Sequence, residues 1–212
     1  MENKGKKQVD YTLYLCTDRR LMTSSSIEEC VEAAIQGGVT VVQLREKECT
    51  SREFFELALR VKQITSRYGV PLIINDRVDI ALAADADGVH VGQKDLPCGA
   101  VRRMIGEEKI VGVSAPNLSA ALQAEQDGAD YIGVGAVFAT GTKQDAIVIA
   151  AEELEKIRKA VSIPIVAIGG IQKQNLPLLK GKGINGIAVI SAIVVQPDVE
   201  KAAKELRELW EA

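Results

Sequence analysis

The sequence repeats one unit, in which a short run of β-favouring apolar residues is followed by a stretch with amphipathic helix spacing. Turn signals divide the 212 residues into eight such units of about 26 residues each. Strands are predicted at 11–17, 40–46, 71–75, 88–91, 110–114, 131–137, 163–168 and 186–191. Most of these runs are apolar throughout, which is typical of parallel strands buried on both faces. The repeat therefore predicts an α/β fold.

The number of units favours closure of the sheet. Eight units without a Pro/Gly/Ser-rich linker predict one domain, 1–212, folded as a (β/α)8 TIM barrel. An open doubly wound sheet made from six or seven of the units is the alternative. Residues 1–10 precede the first unit and are expected to form a flexible N-terminal extension.

Capping signals mark the first two helices. Ser26 and Glu29 are spaced as a capping box, and Thr50 and Glu53 repeat the spacing. Each cap contributes about 1 kcal/mol to helix stability. The last helix carries its apolar residues on one face between 199 and 210, and we expect it to cover the first and last strands.

Composition excludes several classes of protein. The chain is 47% hydrophobic with a net charge of −3, which fits a globular domain and argues against a general nucleic-acid binder. No apolar segment follows the N-terminal lysines, and the longest apolar stretch, 187–195, is interrupted by Ser191, so no signal peptide or membrane span is expected. Four scattered cysteines and one histidine favour neither a zinc site nor a disulfide scaffold, and they predict a cytoplasmic location.

Polar residues follow the predicted strands where a barrel places its ligand site, at the carboxyl ends. Gln43, Arg45 and Lys47 share parity at the end of the second strand, so they would face the lumen if Val41 does. Two cations and an amide at a barrel mouth indicate a phosphate or diphosphate ligand. Ion pairs within the protein explain the triplet equally well.

Two aspartates follow the third and fourth strands. Asp76 and Asp95 would therefore lie at neighbouring strand ends. Mg²⁺ prefers carboxylates together with water and substrate phosphate oxygens, so the pair predicts a magnesium site. Aspartate is also a common turn residue, and either one alone would be explained that way.

A second group of candidates follows the later strands. Ser114 ends the fifth strand, the loop after the sixth carries Thr140, Thr142 and Lys143, and the last two strands end in Gly169-Gly170 and Ile190-Ser191. Backbone amides freed by glycine at the last two strand ends are a common phosphate cradle in this fold. A solvated loop and a tight βα turn are the alternatives. Two anion sites together indicate two phosphorylated ligands.

His90 lies between two valines in the fourth strand, where packing explains it, and we do not assign it as a general base. No Ser/His/Asp or Cys/His set can be built around it, and no lysine stands in a clear apolar pocket. Acyl transfer and aldolase-type chemistry are therefore not expected.

As a set, these residues resemble the thiamine phosphate synthase family over nearly the whole chain. The resemblance is carried by QLREK at 43–47, ND at 75–76, DGVHVGQKDL at 87–96, GVS at 112–114, TGTK at 140–143, IGGI at 168–171 and VIS at 189–191. It implies a barrel enzyme, a transferase, that joins a pyrimidine diphosphate to a thiazole phosphate and releases diphosphate.

The resemblance also implies a role for each matching residue. The pyrimidine diphosphate site would comprise Gln43, Leu44, Arg45, Glu46, Lys47, Asn75, Ser114 and Lys143. The thiazole phosphate site would comprise Thr140, Gly141, Thr142, Gly170, Ile190 and Ser191. Asp76 and Asp95 would bind the cofactor Mg²⁺, and the catalytic residues would be Arg45, Lys47, Ser114 and Lys143. The implied mechanism is dissociative, with the aminopyrimidine stabilising a methylene cation that the thiazole nitrogen attacks.

Two positions depart from the family pattern, and three other functions compete. Ala139 replaces a usual proline before the threonine loop, and Pro116-Asn117 replaces a frequent His-Asn pair. The rivals are a thiazole tautomerase paralogue, a non-catalytic phosphate-binding barrel and a sugar phosphate isomerase. A tautomerase would have no use for the cations and aspartates, and no base suited to an isomerase stands opposite the glycines.

Overall fold

Eight parallel strands close into a barrel in the computed structural model of the chain, which describes residues 8–139 and 148–212. Each strand pairs with the next, and the last pairs with the first. The strands are β1 Leu13–Cys16, β2 Val41–Leu44, β3 Leu72–Asn75, β4 Gly88–Val91, β5 Ile110–Ser114, β6 Tyr131–Gly135, β7 Ile165–Ile168 and β8 Gly186–Val189. The predicted (β/α)8 barrel is confirmed, and the open sheet is excluded.

Helices connect the strands on the outside of the barrel. They are α1 Ile27–Gln36, α2 Ser51–Tyr68, α3 Val78–Ala83, α4 Cys98–Ile105, α5 Leu118–Gln126, α6 Ala151–Ala160, α7 Ser191–Val194 and α8 Val199–Glu211. Between β7 and β8 the chain forms only a 3-10 turn at Leu176–Leu179. Pro177 lies in its first turn, and Gly181 and Gly183 follow with positive φ, a combination that disfavours a longer α-helix.

Six of the eight strands are shorter than predicted, and only β4 and β5 have the predicted bounds. β2 ends at Leu44, so the prediction that it continues to residue 46 is wrong. β6 ends at Gly135 and β8 at Val189, each two residues before the predicted limit. In these three cases the chain leaves the ladder to build the loop at the barrel mouth. Side chains beyond these points are placed by loop contacts, and the alternation of a strand no longer applies to them.

The two faces of the sheet form separate apolar layers. Residues facing the lumen pack into one cluster, made of Tyr11, Tyr14, Cys16, Val41, Ile73, Ile110, Tyr131, Val166 and Ala188. Residues of opposite parity, such as Leu13 and Leu44, pack against the helices in a larger cluster. Both faces of the strands are therefore buried, which explains their continuously apolar sequence.

The capping predictions hold at α2 and hold in part at α1. Thr50 and Glu53 form both hydrogen bonds of a capping box. At α1 the Ser26 side chain accepts from the Glu29 amide, but the Glu29 carboxylate accepts from the hydroxyl of Ser25. The reciprocal half of that box is therefore replaced by a neighbouring serine.

Helix α8 packs against α1 and β1, so the predicted contact of the last helix with the first strand is confirmed. The approach to α1 is close, because a Cβ at Gly37 would lie 2.2 Å from the carbonyl oxygen of Glu200. Within residues 8–139 and 148–212, none of the helices is long and apolar enough to cross a membrane.

The four free cysteines differ in exposure, and this predicts their reactivity. Cys16, Cys30 and Cys98 are buried, whereas Cys49 is half-buried near the barrel mouth. Burial raises the pKa of the Cys16 thiol to about 12 and that of Cys98 to about 11, so both stay protonated at pH 8. We expect Ellman's reagent to modify one thiol in the native protein and four in denaturant. Rapid native modification of two or more thiols would contradict this packing.

Candidate active site

Arg45 reaches the barrel mouth from the loop after β2. Its backbone amide donates to the Thr17 hydroxyl at 3.0 Å, and its guanidinium donates to Asp18 Oδ2, also at 3.0 Å. Asp18 is almost fully buried, whereas the Arg45 side chain remains partly exposed. The buried carboxylate thus holds the guanidinium in place and leaves part of its donor fork directed outward.

The neighbours of Arg45 in the sequence point elsewhere. The Leu44 side chain is fully buried in the layer that faces the helices. The Glu46 side chain is 5% exposed and accepts from Arg19, and its Oε1 atom has no hydrogen-bond partner among the described residues. The Leu44 side chain faces away from the mouth, and the Glu46 carboxylate would repel an anion. At both positions only the backbone is therefore suited to contact a diphosphate.

Lys47 and Asp76 form an ion pair across the ends of β2 and β3. The Lys47 ammonium donates to Asp76 Oδ2 at 2.5 Å. Asp76 itself has a φ of 61°, in the left-handed region, and its amide donates to the His90 carbonyl at 2.8 Å. Asparagine and aspartate tolerate this conformation better than most residues, which accounts locally for the residue type found there.

Asp95 lies beside Asp76. A tight turn holds it, since its Oδ2 accepts from the Gly92 amide at 2.8 Å. Burial raises the pKa of Asp95, and the neighbouring Asp76 carboxylate raises it further, whereas the Gly92 amide and Lys47 lower it. The two aspartates predicted at neighbouring strand ends are therefore brought together, and ionising both leaves like charges in contact.

A divalent cation would relieve this repulsion, and the donor set fits Mg²⁺. Among residues 8–139 and 148–212, no three His, Cys, Asp or Glu side chains group into a metal cage. Mg²⁺ commonly binds through one or two carboxylates and completes its octahedral shell with water and substrate phosphates. Asp76 and Asp95 supply two such carboxylates, and the Lys47 ammonium lies beside them.

Polar side chains also cross the lumen below the mouth. Gln43 Nε2 donates to the Tyr14 hydroxyl at 2.9 Å, and the Tyr14 and Tyr131 hydroxyls are 2.6 Å apart. The Tyr131 hydroxyl lies 2.9 Å from His90 Nδ1, and His90 Nε2 lies 2.9 Å from Ser114 Oγ. We call these five residues the lumen relay. It links Gln43 on β2 with Ser114 on β5.

The other end of the mouth is built on glycine. Gly169 and Gly170 follow β7 with φ values of 100° and 66°, which favour glycine. A Cβ at Gly170 would lie 2.4 Å from the Ala139 carbonyl oxygen, so close packing also requires glycine there. Gln172 Nε2 reaches Ser191 Oγ at 3.4 Å, which brings the ends of β7 and β8 together. Ile190, the other predicted residue, immediately precedes α7.

Four predicted residues, Thr140, Gly141, Thr142 and Lys143, lie outside the described part of the chain. Of the other predicted site residues, Asn75 is nearly buried at the end of β3 and pairs in register with His90. The site residues in the described part all lie on strands, or just past their carboxyl ends, around one barrel mouth.

Sequence patterns do not identify Asp18 or the three inner members of the lumen relay. Packing between two valines is a sufficient explanation of His90 in the sequence, but in the structure both of its ring nitrogens have hydrogen-bonding partners. One signal could have found it, because Tyr14, Gln43 and His90 are polar residues on the lumen-facing parity of strands that are otherwise apolar. Asp18 carries no such signal, since an aspartate after a strand is commonly a turn residue.

Comparison with known proteins gives one consistent relationship. Residues 13–193 match the profile of a family described as "Thiamine monophosphate synthase". A protein of Clostridium botulinum named thiamine-phosphate synthase is 58% identical over 203 residues, covering 96% of this chain and 95% of that protein. One of the same name from Caldanaerobacter subterraneus is 55% identical over 208 residues, covering 97% of each chain.

Solved structures agree. A thiamine phosphate pyrophosphorylase from Pyrococcus furiosus superposes with a TM-score of 0.88 at 44% identity, covering 95% of this chain and 96% of that one. A 3-hexulose-6-phosphate synthase has a TM-score of 0.66 at 19% identity, covering 93% of this chain and 99% of that one. This second likeness extends to the fold alone.

Proposed function

The chain belongs to the thiamine monophosphate synthase family, and from this premise we propose that it is the transferase that forms thiamine phosphate. Its substrates are 4-amino-2-methyl-5-(diphosphooxymethyl)pyrimidine and 4-methyl-5-(2-phosphooxyethyl)thiazole, and its second product is diphosphate. The observation that carries the proposal is the grouping of Arg45, Lys47, Asp76 and Asp95 at one mouth of the barrel. Four free cysteines support a reducing, cytoplasmic location.

The reaction exchanges one bond for another at the methylene carbon of the pyrimidine. The bond from this carbon to the diphosphate oxygen breaks, diphosphate departs with the electron pair, and the thiazole nitrogen forms the new carbon–nitrogen bond. No proton has to be removed to complete this exchange. The chemistry therefore requires charge stabilisation of the leaving group more than a general base.

The cations at the mouth perform that stabilisation. Arg45, held by Asp18, directs the rest of its guanidinium toward the diphosphate, and Lys47 adds an ammonium. Lys143 is proposed as a third cation on the strength of the family motif. Asp76 and Asp95 would hold Mg²⁺, which when bound neutralises charge on the departing diphosphate.

The second substrate would bind at the glycine end of the mouth. Gly170, Ile190 and Ser191 are proposed to hold the thiazole phosphate with backbone amides and a hydroxyl, together with Thr140, Gly141 and Thr142. Gln43, Asn75 and Ser114 are proposed to hold the pyrimidine. The two phosphorylated groups then approach from different strand ends, which separates their charges.

The reaction itself is the test of this proposal. Purified protein given both substrates and Mg²⁺ is expected to form thiamine phosphate, measured by conversion to fluorescent thiochrome after chromatography. A parallel sample in excess chelator is expected to form none until Mg²⁺ is restored. Product formation that is unchanged in chelator would exclude the metal assignment. Absence of product with and without Mg²⁺ would exclude the synthase activity and would favour the tautomerase alternative.

A further inference from the structure

The lumen relay extends the proposed function, because it joins two residues proposed here to contact the pyrimidine. Its inner members are buried, and two glycines make room for them. A Cβ at Gly112 would lie 2.3 Å from the Tyr131 hydroxyl oxygen, and one at Gly133 would lie 3.2 Å from His90 Cε1. The surrounding strands are therefore shaped around the relay.

Hydrogen-bond direction along the relay follows from counting protons. Gln43 Nε2 can only donate, so the Tyr14 oxygen accepts. The single Tyr14 proton then goes to Tyr131, and the Tyr131 proton goes to His90 Nδ1. With the imidazole neutral, its one proton is then on Nε2, which donates to Ser114 Oγ. Burial raises the pKa of both tyrosines, which keeps their hydroxyls neutral for these roles.

Fixed direction gives the two ends of the relay opposite hydrogen-bond characters. With its amide nitrogen engaged by Tyr14, Gln43 presents its carbonyl oxygen as an acceptor. With its oxygen engaged by His90, Ser114 presents its proton as a donor. Reversing the direction of the hydrogen bonds would require the Gln43 side-chain amide to rotate by about 180°. Gln43 would then present a donor and Ser114 an acceptor. Each end is thus coupled to the other through buried groups that are costly to leave unpaired.

We propose that Tyr14, Tyr131 and His90 are positioning residues that fix Gln43 as an acceptor and Ser114 as a donor for an aminopyrimidine. Such a ring carries an amino donor and ring-nitrogen acceptors, which match the two ends. A 4-oxo pyrimidine reverses this pattern, because it carries a carbonyl acceptor and a ring N–H donor. The relay therefore selects the amino form of the substrate and rejects the oxo form.

The relay also suits the proposed chemistry. A neutral serine hydroxyl donates to a ring nitrogen without protonating it, so the ring keeps its electrons available to a developing methylene cation. A carbonyl acceptor on the amino group favours electron release from that group in the same direction. The positioning residues should thus affect turnover as well as binding.

The test compares Tyr131→Phe with Tyr11→Phe. Both substitutions remove a hydroxyl from a buried tyrosine of the lumen, and the two rings lie 4.7 Å apart, but only Tyr131 is a link of the relay. The probes are the aminopyrimidine diphosphate substrate and its 4-oxo analogue, each titrated calorimetrically with Mg²⁺ present. Steady-state kcat and KM are measured alongside.

Tyr131→Phe is expected to weaken binding of the amino substrate about tenfold and to change binding of the oxo analogue less than about twofold. The selectivity for amino over oxo then falls at least about fivefold, and kcat falls with it. Tyr11→Phe should keep the wild-type selectivity. A merely structural role for Tyr131 predicts equal weakening of both ligands and unchanged selectivity, and that result would overturn the proposal.

Two further outcomes keep the test decisive. If Tyr131→Phe does not fold, Tyr14→Phe interrupts the relay one link earlier and is expected to reduce the same selectivity. If the wild-type protein forms thiamine phosphate and neither variant loses selectivity for the amino substrate, the role of the relay is overturned and the proposed function is not. Wild-type protein that neither binds the aminopyrimidine diphosphate nor forms product would overturn the relay together with the proposed function.

Discussion

The double substitution Asp76→Asn and Asp95→Asn is expected to lower the rate of thiamine phosphate formation at least about 100-fold. Asp95→Asn alone is expected to lower it at least about tenfold, which corresponds to about 1.4 kcal/mol of transition-state stabilisation. Both changes remove the charge that would hold Mg²⁺ and preserve the shape of the side chain. Asparagine can still accept from the Gly92 amide at position 95, and it tolerates the left-handed backbone of position 76. Loss of activity would therefore reflect charge and not unfolding.

Asp79→Asn is the matched control for this experiment. Asp79 lies on α3, and its exposed carboxylate pairs with Arg77. We expect its turnover to stay within about twofold of wild type, because an exposed ion pair contributes little. Turnover should be measured across a Mg²⁺ titration, where Asp95→Asn is expected to need more metal for half-maximal rate. A double variant with wild-type turnover and metal dependence would place the metal elsewhere.

Gly186→Ala is expected to destabilise the protein by about 3 kcal/mol or more, which places it at the upper end of overpacking costs. A Cβ at this position would lie 1.8 Å from the Tyr11 carbonyl oxygen and 2.5 Å from its carbonyl carbon. The adjacent residues hold the two strands together, since the Ile187 amide donates to the Thr12 carbonyl at 3.2 Å. Backbone in a ladder cannot give way as a flexible side chain does, so relief requires parting β8 from β1.

Gly99→Ala provides the comparison. It lies in α4, and the nearest atom to its Cβ would be Asp127 Cγ at 3.6 Å, an ordinary contact. Gly99 is the second residue of α4 and its φ lies outside the left-handed region, so alanine fits its backbone and raises stability by about 0.4–1 kcal/mol by restricting the unfolded chain. This variant should match or exceed wild-type stability. Urea denaturation followed by circular dichroism measures both. If the free energy of unfolding of Gly186→Ala lies within about 0.5 kcal/mol of the wild-type value, the close approach of β8 to the chain before β1 is contradicted.

The barrel could be predicted because its signal is local and repeated eight times. Strands such as β4 and β5 have the bounds predicted for them, since burial on both faces makes the whole strand apolar. The orientation of Gln43 also followed from alternation, because Val41 does face the lumen. The connection between β7 and β8 is less regular, and its 3-10 turn reflects proline and glycine in one short segment.

Only those contacts of the site that follow from the order of the strands could be predicted from the sequence. Asp76 and Asp95 are neighbours because consecutive strands are neighbours, and sequence order is sufficient to infer that. Arg45 and Lys47 lie beyond the end of β2, so parity did not place them, and their carboxylate partners Asp18 and Asp76 come from other loops. The relay joins side chains on strands from both halves of the chain. These side chains meet only because of the register between neighbouring strands, which cannot be read from the sequence of any one strand.

The pairing of β1 with β8 has a consequence for synthesis of the protein. β1 is synthesised before the other seven strands, and its partner β8 is synthesised after them. A nascent chain that ends before Gly186 lacks the strand that pairs with both β1 and β7, so its barrel cannot close as it does here. Unpaired strand edges promote association between chains. We therefore expect full protection of the sheet edges only once the eighth strand has joined the first.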